Sequence, residues 1–139
     1  MMPQKTRILV VEDEPVTREV VTRYLERAGF EVTVTETGEE ALETLRASGP
    51  AIDWLLTDIK LPGCIDGWIV GAEFHLSYPL RPVVYASAFA PRRRAHAAGG
   101  VYVPKPYSPA MIVDLFCRLA AQDGQIASAA DTARLYDAA

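Results

Sequence analysis

Short continuous apolar runs alternate along this chain with segments whose apolar residues recur every third or fourth position. Arg7-Ile8-Leu9-Val10-Val11 is a run of the first kind and ends in charge, the pattern of a strand covered on both faces. Pro15 suits the first turn of a helix, where its missing N–H costs nothing. Val16, Val20, Val21, Tyr24, Leu25 and Ala28 then share one helical face, and Gly29 stops the helix. Phe30 to Thr35 alternates apolar and polar residues, as an edge strand does. Thr37-Gly38-Glu39-Glu40 has the form of a capping box, followed by a helix with Ala41, Leu42 and Leu45 inward and a break at Ser48-Gly49-Pro50.

The second half repeats the pattern. Ile52 to Thr57 is a third strand, with Asp58 at its carboxyl end. A loop from Leu61 leads to a helix from about Trp68 to Ser77. Pro82 to Ala86 is a fourth strand and Val101 to Val103 a fifth. Pro104 removes an N–H and should shorten that last strand. Ser108 caps a final helix with Met111, Ile112, Leu115, Phe116 and Leu119 inward. By position Pro91 to Ala98 is a helix too, short and weakly anchored because its face carries three arginines, a histidine and alanines. We expect one domain over residues 1–121 and a tail over 122–139, either frayed or helical around Asp131 to Tyr136.

Alternating strands and helices imply an α/β fold, a doubly wound parallel sheet with helices on both faces. Ligands of such sheets sit beyond the carboxyl ends of the strands. Glu12, Asp13, Asp58, Ser87 and Lys105 all fall at expected strand ends, and this convergence is the main functional signal in the chain.

Composition narrows the possibilities. Half of the 139 residues are apolar, enough for a core, and the formal charge of −4 disfavours a nucleic-acid surface. No secretion signal or membrane-length apolar run occurs, so a cytoplasmic location is expected. Cys64 and Cys117 lack metal-type spacing and read as free thiols, Cys64 in a loop and Cys117 as a small core or boundary residue. Trp54 and Trp68 read as core or boundary aromatics, Arg92-Arg93-Arg94 as a solvated face, and His75 and His96 as without a functional role.

Three carboxylates at one rim repel one another unless a cation neutralises them, and hard oxygen donors favour Mg²⁺. Neighbours in sequence, Glu12 and Asp13 cannot point the same way, so one should bind the ion directly and the other through water. Asp58 could then attack phosphorus to form an acyl phosphate. Lys105 would supply positive charge and Ser87 a hydroxyl donor to the phosphoryl oxygens. Ser87 also suits the cap of the following turn.

Val10-Val11-Glu12-Asp13-Glu14, Leu56-Thr57-Asp58-Ile59-Lys60-Leu61-Pro62-Gly63, Tyr85-Ala86-Ser87-Ala88 and Tyr102-Val103-Pro104-Lys105-Pro106-Tyr107 together resemble the receiver domain of two-component response regulators over residues 6 to 121. The resemblance implies a flavodoxin-like sheet with strand order 2-1-3-4-5. It implies phosphorylation of Asp58 by a phosphohistidine on a sensor histidine kinase or histidine phosphotransfer protein. It also implies Mg²⁺ bound by Asp13, Asp58 and the backbone carbonyl of Lys60, with Glu12 acting through water. Ser87 and Tyr102 resemble the switch pair, and the Lys105-Pro106 bond is expected to be cis. Lys60 and Phe89, two residues beyond Asp58 and Ser87, are expected to shape water access to the acyl phosphate.

Three departures stand out. The acidic pair is Glu-Asp rather than Asp-Asp. The loop Gly63-Cys64-Ile65-Asp66 is one residue longer than in chemotaxis-type members. The fourth helix is sparse. The reading is a single-domain switch, not an enzyme beyond its own phosphorylation and dephosphorylation, acting on an unknown downstream protein, with a homodimer left open and neither nucleic acid nor membrane as partner. Two alternatives compete. One is a phosphatase with an aspartyl-phosphate intermediate, disfavoured because Lys60 stands where a second aspartate is needed. The other is a degenerate receiver that only binds.

Overall fold

The structure is a computed structural model that describes residues 5–89, 94–95 and 99–121. Five strands, β1 (Arg7–Val11), β2 (Glu31–Thr35), β3 (Trp54–Asp58), β4 (Val83–Ser87) and β5 (Val101–Pro104), form one sheet. All neighbours pair in parallel, in the order β2-β1-β3-β4-β5. Among the described residues four helices with full bounds accompany them: α1 (Pro15–Arg27), α2 (Gly38–Ser48), α3 (Gly67–Ser77) and α4 (Pro109–Ala120).

Period-2 geometry divides each strand between two cores. Ile8, Val10, Trp54, Leu56, Val84, Val101 and Val103 pack with Val21 and Leu25 of α1 and Ile112, Leu115, Phe116 and Leu119 of α4. Leu9, Val11, Leu55, Val83, Tyr85 and Tyr102 face the other way, against Ala41 and Leu42 of α2 and Trp68, Val70 and Phe74 of α3. Burial on both faces explains why β1, β3 and β4 read as unbroken apolar runs. At the edge, β2 departs from the alternation expected of it: Glu31 and Val34, on opposite faces, are exposed, Val32 and Thr33 are half-buried and Thr35 is buried. Trp54 stacks on Phe116 at 4.9 Å and 7°, joining β3 to α4.

Local signals hold at the helix starts. Pro15 occupies the first turn of α1. The Thr37 hydroxyl accepts from the Glu40 N–H at 3.1 Å, which is the first bond of a capping box, while the Glu40 carboxylate accepts from the Thr37 hydroxyl at 3.2 Å. Ser108 stands at the cap of α4 but makes no side-chain bond there; Pro109 in the first turn leaves one N–H fewer to satisfy.

Several expectations need correction. The buried stripe of α1 is narrower than the pattern implied. Val21 and Leu25 are fully buried, whereas Val16, Val20, Tyr24 and Ala28 are exposed. The helix lies over the sheet beside α4, and residues four apart suffice to fill that seam. Cys117 is exposed, because it projects away from the inward residues Leu115, Phe116 and Leu119. The break expected at Ser48-Gly49-Pro50 is found, since α2 ends at Ser48; what the sequence did not show is the 3-10 turn Gly49–Ala51 that follows. β3 starts at Trp54 rather than Ile52 and includes Asp58. β5 runs on to Pro104, which ends it. The expected helix over Pro91 to Ala98 lies outside the described residues except for Arg94 and Ala95, which are helical, and the tail from 122 lies outside them entirely.

Candidate functional site

Register brings the candidate residues to one rim. Val11 pairs with Thr57, so Glu12 and Asp13 leave β1 level with Asp58 at the end of β3. Asp58 pairs with Ala86, and Ser87 with Pro104, which sets Ser87 and Lys105 just beyond. The five residues expected to converge therefore do. Carboxylate oxygens of Glu12, Asp13 and Asp58 all lie within 4.8 Å of one another. The Lys105 Nζ is 2.8 Å from Glu12 Oε1 and 2.8 Å from Asp58 Oδ1. Glu12 and Asp58 are buried and Asp13 is exposed, so Asp13 is the acid that faces solvent. The Lys105-Pro106 peptide is cis, as expected.

Two buried acids with one cation between them cannot both ionise easily. Burial, and then the hydrogen bond with Glu12, pushes the Asp58 carboxyl up to about 9 against the lowering effect of Lys105. Burial also acts to raise Glu12, but its hydrogen bonds with Asp58 and Lys105 outweigh that and hold it below the usual carboxylate range. For Lys105, burial acts to lower the ammonium, and the hydrogen bonds to Asp58 and Glu12 more than offset it, leaving it raised. The two acids titrate as a pair, and of the two Asp58 is the one pushed toward its protonated form. One more positive charge would favour its ionised form. Three hard oxygen donors with a deficit of positive charge match what Mg²⁺ needs, so these residues fit the ion.

Several residues that build the site carried no such assignment in the sequence. The Arg18 guanidinium donates to the backbone carbonyl of Glu12 at 3.1 Å and of Asp13 at 3.5 Å, and pairs with Glu36 at 3.3 Å. It fixes the acidic turn from one helical turn away. The Glu14 carboxylate caps α1, accepting from Val16 N at 3.3 Å and Thr17 N at 2.7 Å. Gly67 starts α3 against β3: its N–H donates to the Ile59 carbonyl at 2.8 Å, and a Cβ there would sit 1.8 Å from the Asp58 carbonyl oxygen. Tyr107, first by burial and then by the charges of Glu12 and Asp58, is pushed well above the usual phenol value, which places it beside the acids. Of these, Glu14 and Tyr107 stand inside the motifs read from the sequence, without an assigned role; Arg18 and Gly67 do not.

The Ser87 hydroxyl turns onto its own loop. It accepts from Phe89 N at 3.1 Å and donates to Phe89 O at 3.1 Å. This is the turn-capping role. Tyr102 is buried with its hydroxyl donating to the Ser87 carbonyl at 2.6 Å, so the ring already lies inward and tied to the serine. A cavity of about 170 Å³ opens over Asp58, lined by Lys60, Ser87, Phe89 and Lys105, with Phe89 exposed at its edge. A larger cleft of about 340 Å³, lined by Arg7, Glu31 and Trp54, lies at the amino ends of the strands, away from these acids.

The profile of the response regulator receiver domain matches residues 8–116. The chain belongs to this family. It is 35% identical over 108 residues to the DNA-binding transcriptional regulator NtrC of Escherichia coli K12, covering 75% of this chain and 22% of that protein. It is 36% identical over 116 residues to the transcriptional regulatory protein CseB of Streptomyces coelicolor, covering 81% of this chain and 48% of that one. The chain thus spans less than half the length of these curated relatives. Among solved structures, a response regulator receiver protein from Sinorhizobium medicae superposes with a TM-score of 0.75 at 29% identity, covering 84% of this chain and 94% of that one. A receiver domain described as CheY-like from Methanospirillum hungatei superposes with a TM-score of 0.76 at 25% identity, covering 86% and 98%. The flavodoxin-like strand order of the receiver fold is the order found here. No helix among the described residues of this receiver domain is long and apolar enough to cross a membrane.

Proposed function

We propose that this receiver domain takes a phosphoryl group from a phosphohistidine onto Asp58, with Mg²⁺ present, and that the modification changes which protein it binds. The observation that carries this reading is the bridging of Glu12 and Asp58 by Lys105 at 2.8 Å each, beside the solvent-facing Asp13. Asp13, Asp58 and the Lys60 carbonyl would hold the ion, with Glu12 one water away. When bound, Mg²⁺ supplies the charge that lets Asp58 ionise and offsets repulsion between carboxylate and phosphoryl oxygens.

An Asp58 oxygen attacks phosphorus as the P–N bond breaks, its electron pair returning to the imidazole, and an acyl phosphate forms. Lys105 already reaches Asp58 Oδ1, so it is placed to follow the charge onto the phosphoryl oxygens. Ser87 must give up its bonds to Phe89 to donate to the same oxygens. Because Tyr102 holds the Ser87 carbonyl, that rearrangement is transmitted to β5. Sensor histidine kinases or phosphotransfer proteins are the proposed donors, and a downstream protein the reader of the change.

The test is intact-mass measurement after incubation with acetyl phosphate and Mg²⁺. One phosphoryl group should appear on the native chain, none without Mg²⁺, and none on Asp58→Asn. Labelling of the Asn variant would move the acceptor elsewhere.

A further inference from the structure

The loop from Lys60 to Asp66 joins the acceptor strand to α3, and the Lys60 carbonyl at its start is a proposed ligand of the ion. At its far end the Gly67 N–H grips the Ile59 carbonyl at 2.8 Å. Midway it is held from outside its own two elements. The Cys64 N–H donates to Glu39 Oε2 at 3.2 Å, a contact spanning 25 positions in sequence. Gly63 bends there with φ +88°, its α-carbon face against the same carboxylate: a Cβ would lie 2.6 Å from Glu39 Oε2. One residue before Glu39, Gly38 meets the Ile65 carbonyl, where a Cβ would come within 2.4 Å. The amino end of α2 therefore closes on the loop, with a backbone N–H seated on a carboxylate.

The geometry points to Glu39 as a positioning residue. It clamps the loop through the Cys64 N–H, and so sets the Lys60 carbonyl for Mg²⁺. This rests on the reading of the site given above and deepens it, since it names what shapes one ligand. Glu39 touches neither the ion nor the phosphoryl group. The physical reason for the device is that a loop between two elements has many conformations to lose, and a side chain from a rigid helix removes them. The Gly63 conformation, open to few other residues, turns the Cys64 N–H toward that side chain.

The experiment compares wild type, Glu39→Ala and Glu39→Gln by Mg²⁺ titration, followed in the amide NMR shifts of Asp58 and Ile59, together with hydrogen exchange at the Cys64 amide. Both variants lose the same charge at the start of α2, so any effect on the helix dipole is common to them. Only glutamine keeps an acceptor oxygen for Cys64. Glu39→Ala should weaken Mg²⁺ roughly 3- to 10-fold, the value of one partly solvated hydrogen bond, and speed exchange at Cys64. Glu39→Gln should stay within about twofold of wild type on both readouts. Equal Mg²⁺ affinity in wild type and Glu39→Ala overturns the proposal, as does a Gln variant as weak as the Ala variant. Absence of any Mg²⁺-dependent shift in the wild type overturns the site reading itself, and this proposal with it.

Discussion

Replacing Asp58 by asparagine should stabilise the ion-free domain at neutral pH, and the gain should grow with pH. The Asp58 carboxyl is raised from the ordinary 3.8 to about 9, chiefly by burial and then by Glu12. A raised acid value means that the native state binds the proton more tightly than the unfolded chain. Below about pH 4 both states carry the proton and the stabilisation it gives is fully present. Between that point and about pH 9 the unfolded chain has lost the proton and the native state has not, so stability falls by roughly 1.4 kcal/mol per pH unit. At pH 7 the full interval would give about 4 kcal/mol; Asp58 titrates together with Glu12, whose lowered value acts in the opposite direction, so the net is set at about 2 kcal/mol.

Asparagine keeps the shape, cannot ionise, and offers an amide N–H to Glu12 and an oxygen to Lys105. Urea unfolding in chelator at pH 5.5, 7 and 8.5 measures the difference. Asp58→Asn should exceed wild type by about 2 kcal/mol at pH 7, by less at pH 5.5 and by more at pH 8.5. Millimolar Mg²⁺ should then restore wild type far more than the variant, because it binds the native acids and not the unfolded chain. A variant no more stable than wild type, or a difference that does not change with pH, refutes the electrostatic reasoning.

Lys105→Ala removes both 2.8 Å contacts and leaves Glu12 buried without its cation. Urea unfolding at pH 7.5 should show a loss of about 2–3 kcal/mol, shrinking toward pH 4 as Glu12 takes up a proton. Gly67→Ala puts a methyl group 1.8 Å from the Asp58 carbonyl oxygen, in a space bounded by backbone. α3 must move off β3, and thermal unfolding should register a cost above about 3 kcal/mol together with weaker Mg²⁺ binding.

The sheet and its rim were legible because their causes are local. A strand covered on both faces needs apolar residues at every position, and Ile8 to Val11 and Leu55 to Leu56 show it directly. In a parallel sheet the functional side chains follow the last buried residue, so Glu12, Asp58 and Lys105 are found by reading where each run stops. Helix faces are harder. The arc of α1 that could be buried is wider than the arc that is, since the packing of α4 beside it decides how much is covered. Val16, Val20 and Tyr24 were assigned inward on spacing alone, and spacing does not report the neighbour. The same limit misplaced Cys117.

What stayed hidden depends on single contacts to backbone atoms. Arg18 on the Glu12 carbonyl, Glu39 on the Cys64 N–H and Gly67 on the Asp58 carbonyl each join a side chain, or the lack of one, to a main-chain group that every residue type carries. No complementary residue marks the other end in the sequence. The raised Asp58 carboxyl is hidden for a related reason: it follows from the burial of both acids at hydrogen-bonding range, whereas the sequence shows only that acids converge. These contacts share a consequence. Each sets the position or charge of one acidic or carbonyl oxygen at the rim without touching what binds there. Families that share the acceptor, the acidic pair and the lysine can therefore still differ in ion affinity and switching, through residues of the kind Arg18 and Glu39 represent here.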